Sequence, residues 1–174
     1  MTAESSERTY TIVDKSAWGD GPWQQEPDWI AWIDGETAFP CMIVRGPLGT
    51  LNGYVGVAIN NDAFGHSLDD LSSVLSIHGG VTYAEPHQPG SLNPEYSTIE
   101  QIEGLVGTWW IGFDTGHWND VTPVQVQLPA LVAALSLSDI LGTTSNRGEY
   151  RTVAFVRAEC LNLAGQLSAL EDGP

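Results

Sequence analysis

Apolar residues at 153, 156, 160, 163, 164, 167 and 170 recur at intervals of three and four, the repeat of one face of an α-helix. The spacing predicts a helix over 150–170, with Asn146 and Glu149 placed as a capping box ahead of it. Such a helix holds its shape only by lying on another apolar surface. Upstream stretches supply one. Residues 8–14, 37–45, 51–59, 76–85 and 108–113 read as strands, and Gly46-Pro-Leu-Gly49 joins the second to the third as a hairpin. Residues 28–34, with Trp29, Ile30, Trp32 and Ile33, fit either a helical turn or a strand. A short helix is expected over 67–75, where Asp69 and Asp70 mark a helix start. Weaker helical patterns cover 97–105 and 129–141. The fold class that follows is α+β: a mostly antiparallel sheet with a long C-terminal helix packed on it. Residues 1–174 form one domain, with 1–7 disordered.

The net charge is -16, from 22 acidic against 6 basic residues. A surface so negative repels phosphate backbones and argues against duplex nucleic acid as a partner. It also makes the cations informative. An anionic ligand has to draw on Arg8, Lys15, Arg45, Arg147, Arg151 or Arg157, on a histidine, on backbone N–H groups or on a metal, and Arg45 is the candidate contact. Cys41 and Cys160 lie in apolar contexts and read as buried free thiols of a reducing compartment. There is no signal-peptide pattern and no apolar run of membrane-spanning length, so a cytoplasmic protein without a membrane partner is expected.

Chemistry gathers at 108–120, Thr-Trp-Trp-Ile-Gly-Phe-Asp-Thr-Gly-His-Trp-Asn-Asp. The first half is a buried strand; the second presents Asp114, His117 and Asp120 just beyond it, where sites are built on rigid scaffolds. His78 precedes Gly79-Gly80 at another strand entrance, and glycines there admit close neighbours. If the two strands are neighbours, both imidazoles face one cleft. Two chemistries fit. A divalent metal held by His78, His117 and one or more of Asp114, Asp120 and Glu85 would activate water. Alternatively His78 and His117 act as base and acid without metal, with Asp114 orienting one ring, as suits phosphodiester cleavage. The bland alternative is that each histidine caps a strand. Tyr83, Trp109 and Trp118 could stack on a base or sugar, although core packing is the ordinary role of such residues. Glu159 either points to the site from beneath or, as the more ordinary reading, is a solvated helix glutamate, and neither cysteine reads as a nucleophile.

The stretches Leu51-Asn-Gly-Tyr-Val-Gly-Val57, His78-Gly-Gly-Val-Thr-Tyr-Ala84 and Trp109-Trp-Ile-Gly-Phe-Asp-Thr-Gly-His-Trp-Asn-Asp120, followed by the last helix with Glu159-Cys160, occur in this order. Together they resemble a family of small, largely uncharacterised proteins of bacteriophages and prophages, over roughly residues 40–168. Relatives tend to carry a Gly-His-Pro after the Gly-Tyr-Val-Gly-Val strand; here Asn60-Asn-Asp-Ala-Phe-Gly65 stands there, so Asp62 or His66 would have to replace that histidine. The resemblance implies an accessory protein in the cytoplasm of an infected bacterium and brings no activity with it. The expected function is hydrolysis of a nucleotide-type phosphodiester, with a cyclic nucleotide defence signal the natural substrate in that setting. A binder that sequesters a nucleotide-like small molecule, or an acidic protein that inhibits a host factor, are the alternatives. Oligomeric state is left open.

Overall fold

Apolar residues alternate along the strands, and the alternation sorts them onto two buried faces. The computed structural model describes residues 7–86, 107–124 and 148–171. Six strands, β1 (Arg8–Tyr10), β2 (Trp29–Ile33), β3 (Pro40–Arg45), β4 (Leu51–Val57), β5 (Tyr83–Pro86) and β6 (Trp109–Phe113), form one antiparallel sheet in the order β1-β2-β3-β4-β6-β5. Two α-helices occur among the described residues, α1 (Leu68–Val74) and α2 (Val153–Glu171). The stretch 28–34 that fits two elements is a strand, with Trp29 and Ile30 pairing Val44 and Ile43. Two 3-10 turns, Ser16–Trp18 and Pro22–Gln24, interrupt the loop before it. The expected helices over 97–105 and 129–141, His87, residues 1–6 and Asn146 lie outside the described residues.

Helix α2 covers the face formed by Ile30, Trp32, Cys41, Ile43, Leu51, Val55, Val57, Ile111 and Phe113. Its own Val156, Cys160, Leu163, Ala164 and Leu167 are fully buried there, as the three-four spacing requires. Each buried leucine contributes about 2 kcal/mol by leaving water. The helix comes close because β4 carries Gly53 beneath it. A Cβ at Gly53 would stand 2.7 Å from the Cys160 sulfur and would press on the Phe113 ring. The opposite face buries Trp29, Met42, Val44, Tyr54 and Trp110. Cys41 and Cys160 are free and buried; burial, with Asp34 nearby, pushes the Cys41 thiol up to about 12, and burial raises Cys160 as well. Neither is a nucleophile.

The start of α2 is where the structure departs from the expected range of 150–170. The helix begins at Val153; residues 148–152 are not helical, and Glu149 is bridged to Asp120. Capping falls to other groups: the Thr152 hydroxyl accepts the Phe155 N–H at 3.4 Å, and the Glu26 carboxylate accepts the Val153 N–H at 2.8 Å.

Glu26 belongs to a buried charge network centred on Arg45, whose side chain is fully enclosed. Arg45 Nε donates to Asp28 at 2.7 Å, Nη1 donates to the Gly49 carbonyl and the Tyr150 hydroxyl, and Nη2 donates to the Pro27 carbonyl. Lys15 reaches the same oxygen of Asp28 at 2.7 Å, while the other oxygen accepts the N–H groups of Ile12 and Val13. No described helix is long and apolar enough to cross a membrane.

Burial alone would raise the Asp28 carboxyl, but Lys15, the Val13 N–H, Arg45 and the Ile12 N–H outweigh it and hold it below the ordinary carboxylate value. A depressed folded-state value contributes stability that is present above about pH 4, the unfolded value, and is lost as pH falls through the folded one. Asp28→Ala leaves two cations buried without it and is expected to cost about 3–5 kcal/mol in urea unfolding at neutral pH. Asp28→Asn is expected to flatten the acid limb of a stability-against-pH curve.

Candidate functional site

Strand β6 delivers the chain to the site and the loop after it is tied down at once. The Thr115 hydroxyl donates to the Leu51 carbonyl at 2.8 Å, and Asp114 accepts the Gly116 N–H at 2.9 Å. The chain then turns back, with the Asp120 N–H donating to the His117 carbonyl at 2.8 Å. Across from it the chain leaving α1 makes a second turn at His78-Gly79. Helix α2 holds that turn: Gln166 exchanges hydrogen bonds with both backbone groups of Ser76, and Glu159 accepts the His78 N–H at 2.8 Å. Glu159 therefore supports the turn from the helix side, the alternative of the two readings, and is not a solvated helix residue.

The two turns bring the imidazoles together. Their ring centroids lie 5.3 Å apart, edge to face, and His78 also stands edge-on to Phe155 at 5.2 Å. Gly79 makes the approach possible, since it adopts φ +68 and any Cβ there would overlap the His117 ring. Both rings point at one buried carboxylate. Oδ2 of Asp120 lies 2.8 Å from His78 Nε2 and 3.3 Å from His117 Nδ1, and accepts the His117 N–H at 3.3 Å. Oδ1 accepts Arg151 Nε at 2.8 Å, and Arg151 continues to Glu149 at 3.0 Å while stacking over Phe155. The Asp120 side chain is 1% exposed, against 20% for His78 and 30% for His117, so the carboxylate is inside and the rings reach solvent. Burial pushes the Asp120 carboxyl up, but Arg151, then His78 and the His117 N–H, outweigh this and set it below its usual value.

Comparison of the chain with protein-family models, curated proteins and solved structures finds no match. The site has to be read from its own residues. His78, His117 and Asp120 are gathered, each offering a ligand atom within 4.8 Å of the others. Asp114 stands at the margin, its Oδ1 3.8 Å from His117 Nδ1, so the carboxylate that orients the rings is Asp120. Glu85 is an exposed residue of β5 opposite Trp110 and is not among the gathered ligand atoms.

The aromatic candidates separate. Trp118, next to His117, is 96% exposed. Trp109 begins β6, at the far end of the strand from the site, and packs on Phe64. Tyr83 packs edge-to-face on Tyr54, on the sheet face that α2 does not cover. Arg45 has no exposed surface and cannot meet a ligand; a strand-end arginine in so acidic a chain is held inside by carboxylates instead. Asp62 and His66 line a separate depression with Asp70 and Leu170, away from His78 and His117. Among the described residues the cation at the site is Arg151, one of the six the sequence offers, and not Arg45. One signal could have found it: Arg151, Phe155 and Glu159 follow at intervals of four and so share one flank of a helical path.

Gly79→Ala is expected to cost about 1–2 kcal/mol from its left-handed backbone alone. It should also shift the ring NMR signals of His117 and His78 while leaving those of His66 in place.

Proposed function

We propose that the protein hydrolyses a small nucleotide-type phosphodiester at the His78–Asp120–His117 centre, in the cytoplasm of a phage-infected bacterium. The observation that carries this is the meeting of two imidazoles, distant in sequence, on one oxygen of a buried carboxylate. Attack of water on phosphorus needs an activated water, a proton for the leaving oxygen and positive charge for the phosphoryl oxygens. Each imidazole turns one nitrogen to Asp120 and keeps the other for a reacting group. Arg151 uses Nε and Nη1 on Asp120 and Glu149, and its remaining nitrogen is suited to a phosphoryl oxygen. The exposed indole of Trp118 offers a stacking surface for a base in the same turn as His117. The net charge of -16 disfavours a long polyanion and is compatible with a small substrate. The phage resemblance points to a cyclic nucleotide signal of host defence.

The test is product analysis. The protein is incubated with a panel of cyclic dinucleotides and chromatographed before and after heating. New products that fall by about 100-fold or more in His117→Ala support the hydrolase. Release of intact ligand on heating supports a sequestering binder. An unchanged panel rejects both, and a host protein captured equally by wild type and His117→Ala would make this an interaction protein.

A further inference from the structure

We infer that His78, His117 and Asp120 hold one divalent first-row metal ion of the zinc type; what the ion does there rests on the hydrolase reading, but its binding does not. One atom of the centre is crowded. Oδ2 of Asp120 is approached by His78 Nε2 at 2.8 Å, His117 Nδ1 at 3.3 Å and the His117 N–H at 3.3 Å. The backbone N–H is a fixed donor, while each ring nitrogen donates only where it carries the proton: with both protonated, three donors compete for about two lone-pair sites, and an unprotonated ring nitrogen sets its lone pair against the oxygen's. A cation shared by Oδ2 and the two ring nitrogens removes the conflict. It leaves the backbone N–H as the one hydrogen bond to that oxygen.

The spacing agrees. Zinc binds imidazole nitrogen and carboxylate oxygen at about 2.0–2.1 Å, which places tetrahedral neighbours roughly 3.3 Å apart. One atom from each of the three side chains lies within 4.8 Å of the others, with two of the separations at 2.8 and 3.3 Å. The surrounding contacts already do what outer groups do at metal centres. Arg151 holds the second oxygen of Asp120, Phe155 braces the His78 ring, and the His117 ring rests on Gly79. Both rings reach solvent, so a water or a phosphoryl oxygen can take a fourth position. Two imidazoles and a carboxylate, with both cysteines buried and free, select a Zn²⁺, Fe²⁺ or Mn²⁺ type of ion over Cu⁺.

The experiment uses the full chain, stripped with EDTA and titrated with zinc chloride by calorimetry. One equivalent is expected to bind. His78→Gln and His117→Gln should each weaken binding more than about 100-fold, Arg151→Ala about 10-fold, and His66→Gln not at all. Cobalt(II) substitution should give the strong visible absorption of a tetrahedral nitrogen–oxygen site. If a glutamine variant loses its helical circular dichroism, the wild-type cobalt spectrum decides. Absence of saturable binding, or binding indifferent to both variants, overturns the metal site. Zinc binding without hydrolysis of any dinucleotide rejects the hydrolase and leaves the metal site standing. Hydrolysis by stripped protein that binds no zinc does the reverse.

Discussion

Arg45 carries its charge where no water reaches it, and much of the chain is arranged to answer that charge. Its donors reach Asp28 next to β2, the Gly49 carbonyl in the β3–β4 turn, and Tyr150 ahead of α2. Asp28 in turn ties down the segment after β1 through the N–H groups of Ile12 and Val13. Glu26, in contact with Arg45, accepts from Tyr150 and from the first N–H of α2. One guanidinium thus joins the segment before β2, the hairpin and the beginning of the long helix. Hydrophobic burial is non-directional and would let α2 slide or rotate over the sheet. The charge network is directional, and it sets where the helix starts.

That starting point decides the site. With α2 beginning at Val153, Arg151 lies just before its first turn, Phe155 within that turn and Glu159 a turn further on. These residues touch Asp120, His78 and the backbone of the His78 turn in order. The helix is therefore both the lid of the core and the brace of the polar centre. The two charge systems differ in one respect that bears on function. Every nitrogen of Arg45 meets a partner within the protein, and the network is closed. Around Asp120 three nitrogens crowd one oxygen, while two imidazoles and an arginine keep part of their surface in solvent. Closed networks hold folds; a network with outward capacity can take a ligand.

Much of the architecture was legible because period and burial coincide. The three-four spacing of α2 named the residues that the core encloses, and β3, β4 and β6 were visible as apolar runs between turn residues. The helix start was not legible, since its cap comes partly from Glu26, far away in sequence. A motif such as Asn146 to Glu149 cannot register such a partner. The site was half visible. His78 and His117 could be paired on the expectation that their strands are neighbours, and β5 and β6 are paired. Which carboxylate serves them depended on the turn at 117–120, where Asp120 folds back under the rings and Asp114 stays at the edge. Arg45 and Arg151 read alike in the sequence. Only the packing separates a charge enclosed by carboxylates from one that stands beside the imidazoles.

The position of Arg151 also bears on how an anion could approach a chain with a net charge of -16. Repulsion between exposed charges is screened within about 8 Å at physiological ionic strength. A small anion therefore meets mainly the groups it touches, and this centre offers it Arg151, two imidazoles and a neutral indole beside the carboxylates of Asp114 and Glu149. An extended polyanion would touch the acidic surface at many points and be opposed at each. Lys15 and Arg45 are enclosed in the other network and cannot soften that field locally, and Arg157 lies over Trp32 in contact with Glu7. On the hydrolase reading proposed above, a preference for small anions over polymers would follow from the placement of Arg151 beside the imidazoles and would need no walled pocket. The divalent ion proposed above would sharpen the same contrast, because it adds positive charge where two imidazoles and a carboxylate meet.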